Sequence, residues 1–134
     1  MPSCRAILAT SLLSCCLASP MARAQAPAPG NQQDMARTMH LLARNQLGVL
    51  EYCQAQGSVG QDAVDTQRKL MALLPPTQVS GLDDAEALGK TGVVSFAGSQ
   101  TALADAAKAQ GITVDAMCKQ MGAMLQAQAA QLPK

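Results

Sequence analysis

The sequence predicts an all-α fold, a small helical bundle of four to five helices that follows a cleaved signal peptide and carries one disulfide. Apolar residues recur at spacings of three and four along much of the chain, which is typical of amphipathic helices. The N-terminal residues have the pattern of an export signal, and two cysteines remain beyond it. With 134 residues the chain is long enough for one domain. The predicted organisation is a signal peptide at residues 1–24, a flexible Pro/Ala leader at 25–30 and a single helical domain at 31–132.

The export signal is predicted from the first 24 residues. Arg5 precedes an uncharged apolar run at residues 6–18, which is too short to span a bilayer as a helix. Pro20 follows the run, and small residues then occupy the positions that signal peptidase reads. We therefore expect cleavage between Ala24 and Gln25, a periplasmic or secreted product, and no transmembrane segment in the mature chain.

Cys15 offers a second interpretation of the same segment. It ends a Leu-Leu-Ser-Cys sequence that is similar to the lipobox of bacterial lipoproteins, in which the cysteine is acylated and anchors the protein to a membrane. If the chain were processed at Cys15, Pro20 and the small residues before Gln25 would have no function in export. Cleavage after Ala24 is therefore favoured, and a lipid anchor on Cys15 is the alternative.

Removal of the signal changes the charge of the chain. The full sequence has a net charge of +1, and loss of Arg5 and Arg23 leaves eight basic residues against nine acidic ones. Such a neutral chain lacks the field that attracts a phosphate backbone. With no Trp, one Tyr and one Phe, it also lacks stacking platforms for single-stranded nucleic acid. No nucleic-acid partner is expected.

The first helix is predicted from about residue 32 to 56, with Asn31 as its N-cap and Gly57 as its C-cap. One face of it is predicted to point inward and comprises Met35, Met39, Leu42, Val49 and Cys53. A second helix is predicted over 60–74, where Pro75 and Pro76 stop it.

The segment 81–98 is predicted as a third helix. Its glycines each cost about 1 kcal/mol in a helix relative to alanine, so a strand from Thr91 to Phe96 remains the alternative. A close contact with another helix would explain why small residues lie on one stripe of the segment. That stripe comprises Leu82, Ala85, Gly89, Gly92 and Phe96.

Two further helices complete the prediction. Ser99 is expected to cap a short fourth helix that runs through Ala109 and ends at Gly111, and Thr113 is expected to cap the fifth. The fifth helix has the most regular apolar spacing in the chain, carried by Val114, Met117, Cys118, Met121, Met124 and Leu125.

Cys53 and Cys118 are predicted to form the disulfide. Each lies on the apolar face of a predicted helix, and a bond between them would restrict the unfolded chain by about 4 kcal/mol in the loop-entropy model. Redox catalysis is disfavoured because the chain has no Cys-x-x-Cys sequence. The bond is expected to stabilise a core that is poor in aromatic residues.

Little in the sequence points to enzymatic chemistry. His40 is the only histidine, no nucleophile motif accompanies it, and no phosphate loop is present, so neither catalytic activity nor a cofactor is expected. The methionines are expected to fill the core, since thioethers pack well into irregular gaps. The alternative is a soft-metal site for copper, whose candidate ligands are Met35, Met39, His40, Met117, Met121 and Met124.

The expected function is a non-enzymatic exported protein that binds another protein, in a role related to stress or chaperoning. In its arrangement of signal, helices and one cysteine pair the chain resembles periplasmic acid-stress chaperones and the pilotin lipoproteins of secretion systems. That resemblance covers the architecture alone and includes no specific motif; the expected protein partner follows from methionine and alanine surfaces, which suit loose binding, and from the lack of catalytic groups. The alternatives are a copper-binding protein and, with Cys15 acylated, a pilotin-like lipoprotein. The sequence predicts no oligomeric state.

Overall fold

A computed structural model describes residues 29–131. Within this range the chain is mostly helical, with a disulfide between Cys53 and Cys118, as predicted, and it also contains a small sheet. The predictions for the signal peptide, for Cys15 and for cleavage at Ala24 lie outside the described residues. The elements in chain order are α1 (Pro29–Ala55), α2 (Gln61–Met71), α3 (Leu82–Lys90), β1 (Val93–Phe96), β2 (Ser99–Ala102), α4 (Leu103–Ala109) and α5 (Val114–Ala129).

Helix α1 is longer at its N-terminus than the sequence predicts. It begins at Pro29, a residue suited to the first helical turn because its missing N–H needs no partner there. Asn31 therefore lies inside the helix rather than at its cap. The other end agrees with the prediction, because Gly57 has a φ of +74° and the next N–H, from Ser58, donates to the Cys53 carbonyl at 2.9 Å.

The core lies around the second half of α1 and forms two adjoining clusters. One surrounds the disulfide, between α1, α4 and α5, and the other lies between α1, α2 and α5, with Val59 packed against both. The first consists of Val49, Cys53, Leu103, Ala107, Met117 and Cys118. The second consists of Leu47, Leu50, Ala63, Val64 and Leu125.

The prediction of one helix over 81–98 is wrong beyond Lys90. Strands β1 and β2 pair antiparallel, from Val93 opposite Ala102 to Phe96 opposite Ser99. The physical reason is the turn between them, where Ala97 and Gly98 have φ values of 49° and 84°, the pair of positive angles that a tight hairpin turn requires.

The hairpin also overturns the predicted start of the fourth helix. Ser99 belongs to β2 and caps nothing, and α4 starts only at Leu103. The fifth helix starts as predicted, because the Thr113 hydroxyl oxygen accepts the Ala116 N–H at 3.1 Å.

Helices α1 and α3 cross with their backbones in contact, at Gly48 and Gly89. A β-carbon on Gly48 would overlap the Glu86 carbonyl oxygen and lie 2.9 Å from the Lys90 nitrogen. One on Gly89 would overlap the Asn45 carbonyl oxygen and lie 2.9 Å from the Gly48 α-carbon. The close helix contact that was expected from the small residues is therefore found at Gly89, in α3, which is shorter than the predicted third helix.

Candidate functional site

The first half of α1 extends beyond the core. Its first buried side chain is Asn45; before it Leu41, Leu42 and Ala43 are half-buried, and Met35 and Met39 are exposed, at 60% and 48%. A helix of 27 residues is about 40 Å long, so α1 is longer than each of the helices that pack against it. The predicted inward face is therefore correct for Val49 and Cys53 and wrong for Met35 and Met39.

The methionines of α5 have different surroundings. Met117 is buried in the disulfide cluster at 7% exposure, Met121 packs against that cluster, and Met124 is 64% exposed. The prediction that methionines fill the core is thus correct for Met117 and wrong for Met124. The six candidate metal ligands do not lie together, because Met35, Met39 and His40 line one cavity and no α5 methionine lines it.

Two cavities lie side by side between the exposed half of α1 and the end of α2. Their volumes are about 400 Å³ and 170 Å³, and they share Met39 and Leu74 as common lining residues. We call them together the α1–α2 groove. The larger cavity is lined by Met39, Leu42, Ala43, Gln46, Gln67, Leu70, Met71, Leu74 and Gln128. The smaller is lined by Gln32, Met35, Ala36, Met39, His40, Leu74 and Pro75.

Side-chain hydrogen bonds hold the two walls of the groove together. The His40 Nε2–H donates to the Pro75 carbonyl oxygen at 2.8 Å, which fixes the chain after α2 against α1. The buried Gln67 amide donates from Nε2 to the Ala43 carbonyl oxygen at 3.0 Å. These two bonds fix the position of both walls, because a buried polar group such as the Gln67 amide needs a hydrogen-bond partner.

The described lining of the groove contains no Asp, Glu, Lys or Arg. A further cavity of about 400 Å³ on another side of α1, toward the hairpin, does contain charge, from Asp34 and Arg37. The groove therefore suits an apolar or uncharged polar ligand, whose binding would come from burial of apolar surface.

Charged residues are concentrated where α1, α2 and α3 meet. Glu86 accepts from Arg44 at 2.5 Å and from Lys90 at 2.8 Å. Glu51 binds Lys90 at 3.1 Å and Arg68 at 2.8 Å. The Lys90 hydrogen bond lowers the pKa of Glu86, against an opposing effect of burial, and the hydrogen bonds to Glu86 and Glu51 raise the pKa of Lys90. These pairs close the helix crossing at Gly48, and Arg44 also lines a cavity of about 410 Å³ at the start of α3.

The hydroxyl of Ser58 and the imidazole of His40 each have a hydrogen-bond partner elsewhere in the fold. The Ser58 hydroxyl donates to Asp115 Oδ1 at 2.9 Å, while Lys119 binds the other oxygen at 2.8 Å. The Lys119 hydrogen bond, and then that of Ser58, lower the pKa of Asp115. His40 donates to a backbone carbonyl rather than to a carboxylate. Neither arrangement has the geometry of an activated nucleophile.

Among residues 29–131, no three His, Cys, Asp or Glu side chains lie close enough together to hold a metal ion, and no helix is long and apolar enough to cross a membrane. The groove was not predicted, because the apolar spacing of Met35, Met39 and Leu42 is also that of a core face. One feature of the sequence indicates it: the predicted first helix, 32–56, is longer than the predicted second helix, 60–74, so the second helix is too short to cover the whole apolar face of the first. Comparisons of the chain with protein families, with curated proteins and with solved structures found no match.

Proposed function

We propose that the protein is a non-enzymatic, exported polypeptide-binding protein that holds an apolar stretch of a partner in the α1–α2 groove. The observation that carries the proposal is the uncharged groove itself, with its two cavities joined at Met39 and Leu74. A groove between helices that presents apolar anchors is a recurrent way to bind an amphipathic or extended segment.

The composition of the groove suits a partner of variable sequence. Met35, Met39 and Met71 are unbranched side chains that change shape at low cost, and methionine-rich surfaces accept differently shaped apolar segments. The glutamines at the same surface can pair with a partner's backbone amides and carbonyls. This chemistry favours recognition of exposed apolar sequence in general, as a chaperone-like role requires.

The disulfide supports export as part of the proposal. Cys53 and Cys118 are fully buried and bonded to each other, and structural disulfides persist in oxidising compartments such as the periplasm or the exterior of the cell. A stable bond there keeps α1 and α5 joined while the first half of α1 remains free to bind.

The test is suppression of aggregation of heat-denaturing malate dehydrogenase, followed by light scattering with the disulfide-bonded protein in excess. We expect the wild type to suppress scattering and Met39→Glu to lose most of this effect, because it places a charge at the junction of the two cavities. Met124→Glu is the matched control, since Met124 is also exposed and lies outside the groove. Both replaced side chains are exposed, Met39 at 48% and Met124 at 64%, so we expect both variants to fold.

Ionic strength gives a second measurement. Because no charged residue lines the groove, suppression should be the same at low and high salt, whereas binding through surface charge weakens as salt screens it. No suppression by the wild type, equal loss in the two glutamate variants, or suppression that disappears in salt would each refute binding in the groove.

A further inference from the structure

We infer that Met35, Met39 and His40 form a binding site for a soft monovalent cation, Cu(I), at the smaller cavity of the α1–α2 groove. All three residues line that cavity, whose volume is about 170 Å³. Two thioethers and one imidazole make a set of sulfur and nitrogen donors that suits this ion. The inference goes beyond the proposed polypeptide binding and does not depend on it.

The two thioethers are placed for joint binding. Met35 and Met39 are four residues apart on a helix, so they lie on the same face in successive turns. They are 60% and 48% exposed, so an incoming ion can reach both sulfur atoms without opening the core. Met117 differs in this respect, because it is 7% exposed within the disulfide cluster.

The imidazole of His40 is oriented in the way a ligand histidine usually is. Its Nε2–H donates to the Pro75 carbonyl oxygen at 2.8 Å, which assigns the proton of the neutral ring to Nε2 and leaves the lone pair of Nδ1 available. Histidines that bind metals commonly donate their other ring N–H to a backbone carbonyl, because this bond fixes both the tautomer and the ring.

The rest of the cavity favours Cu(I) over harder ions. Its other described lining residues are neutral, namely Gln32, Ala36, Leu74 and Pro75, and none of them is a carboxylate or a thiolate. Mg²⁺ and Ca²⁺ prefer several oxygen ligands, usually with at least one carboxylate, and Zn²⁺ prefers a fuller set of imidazole, thiolate or carboxylate ligands. A singly charged ion with soft donors costs the least to place beside apolar side chains.

The experiment is an anaerobic titration of the disulfide-bonded protein with Cu(I), kept reduced by ascorbate and competed with bicinchoninate. We expect one equivalent to bind with a dissociation constant below about 1 µM. The double variant Met35→Leu/Met39→Leu and the single variant His40→Gln should each weaken binding by about tenfold or more. Met124→Leu is the control and should bind as the wild type does.

A second measurement locates the ion without relying on affinity. With methionine methyl groups labelled with carbon-13, Ag(I) as a redox-inert substitute for Cu(I) should shift the signals of Met35 and Met39 and leave that of Met124 in place. No binding below about 1 µM, equal affinity in the leucine variant, or shifts confined to the α5 methionines would overturn the site.

The two proposals can fail separately. Suppression of malate dehydrogenase aggregation by a wild type that binds no Cu(I) would overturn the metal site alone, and Cu(I) binding by a wild type that suppresses no aggregation would overturn the proposed function alone. Met39→Glu reports on the groove in the absence of copper.

Discussion

The side chain of Asn45 bonds to the backbone of Ser95, fifty residues further along the chain. Its Oδ1 accepts the Ser95 N–H at 2.8 Å, and its Nδ2 donates to the Val93 carbonyl oxygen at 3.0 Å. These two groups belong to the edge of β1 that faces away from β2, so one amide on α1 takes the place of a neighbouring strand. Asn45 Nδ2 also donates to the Ala85 carbonyl oxygen at 3.1 Å, which joins α1, α3 and β1 at one side chain.

Asn45→Leu should lower the free energy of unfolding by about 2–4 kcal/mol, because leucine leaves two partly buried backbone groups of β1 without these partners. Urea unfolding followed by circular dichroism measures this loss. Gln67→Leu is the control, since the Gln67 amide is also buried but bonds only to the Ala43 carbonyl in the described network. Equal losses in the two variants would show that Asn45 has no special role in holding the hairpin.

Gly48→Ala should destabilise the fold by about 3 kcal/mol or more, because the new methyl group meets the backbone of α3 and only separation of the two helices can relieve the overlap. Differential scanning calorimetry would record the lowered melting temperature. Gly122→Ala in α5 is the control, because its nearest neighbour is the Val59 side chain at 3.1 Å, which can move. A Gly48→Ala protein as stable as the Gly122→Ala protein would contradict the close helix crossing.

The buried helix faces could be predicted from the sequence, whereas the hairpin could not. The spacing of Val49 and Cys53, and of Met117 and Cys118, is a local property of the chain and predicted the buried helix faces correctly. The hairpin depends on Asn45, a polar residue within an apolar face, and on its distant backbone partners. In a prediction from apolar spacing, such a polar residue counts as an interruption of the apolar face. The positive φ angles of Ala97 and Gly98 are only weakly indicated by the residue types.

Glu86→Gln should have a pH-dependent effect on stability. The folded pKa of Glu86 lies below its ordinary value of 4.5, so the stabilisation it gives is present above that pH and is lost as the pH falls through the lowered value. Wild type and Glu86→Gln should therefore differ by about 1–2 kcal/mol at neutral pH and converge in acid. Urea unfolding at a series of pH values tests this, and a difference that grows in acid would refute it.

The double variant Cys53→Ala/Cys118→Ala should lose about 4 kcal/mol of stability, because the bond closes a loop with a sequence separation of 65. Urea unfolding of the variant, compared with the oxidised and the reduced wild type, measures the loss. Reduced wild type should resemble the variant, since both lack the covalent loop. A variant as stable as the oxidised protein would show that packing around the two buried cysteines suffices.

The candidate site was predictable only in its residues and not in its arrangement. The sequence identifies Met35, Met39 and His40 as candidate ligands of a soft metal, but the apolar spacing of the two methionines predicts that these two lie in the core. Whether an apolar face is covered depends on the length of the elements opposite it, and α2 ends at Met71, before it could cover the first half of α1. Leu74 and Pro75 also line the cavity, and they belong to the segment after α2, where the apolar residues have no regular spacing.

The disulfide encloses most of the folded chain in a covalent ring, because α2, α3, the hairpin and α4 all lie between Cys53 and Cys118. A protease that cuts once within this ring, for example in the exposed segment at Pro75 and Pro76, leaves two fragments that remain bonded to each other. The nicked protein would migrate as one species until a reductant is added. In an environment rich in proteases, a single cleavage would therefore leave the groove attached to the rest of the molecule.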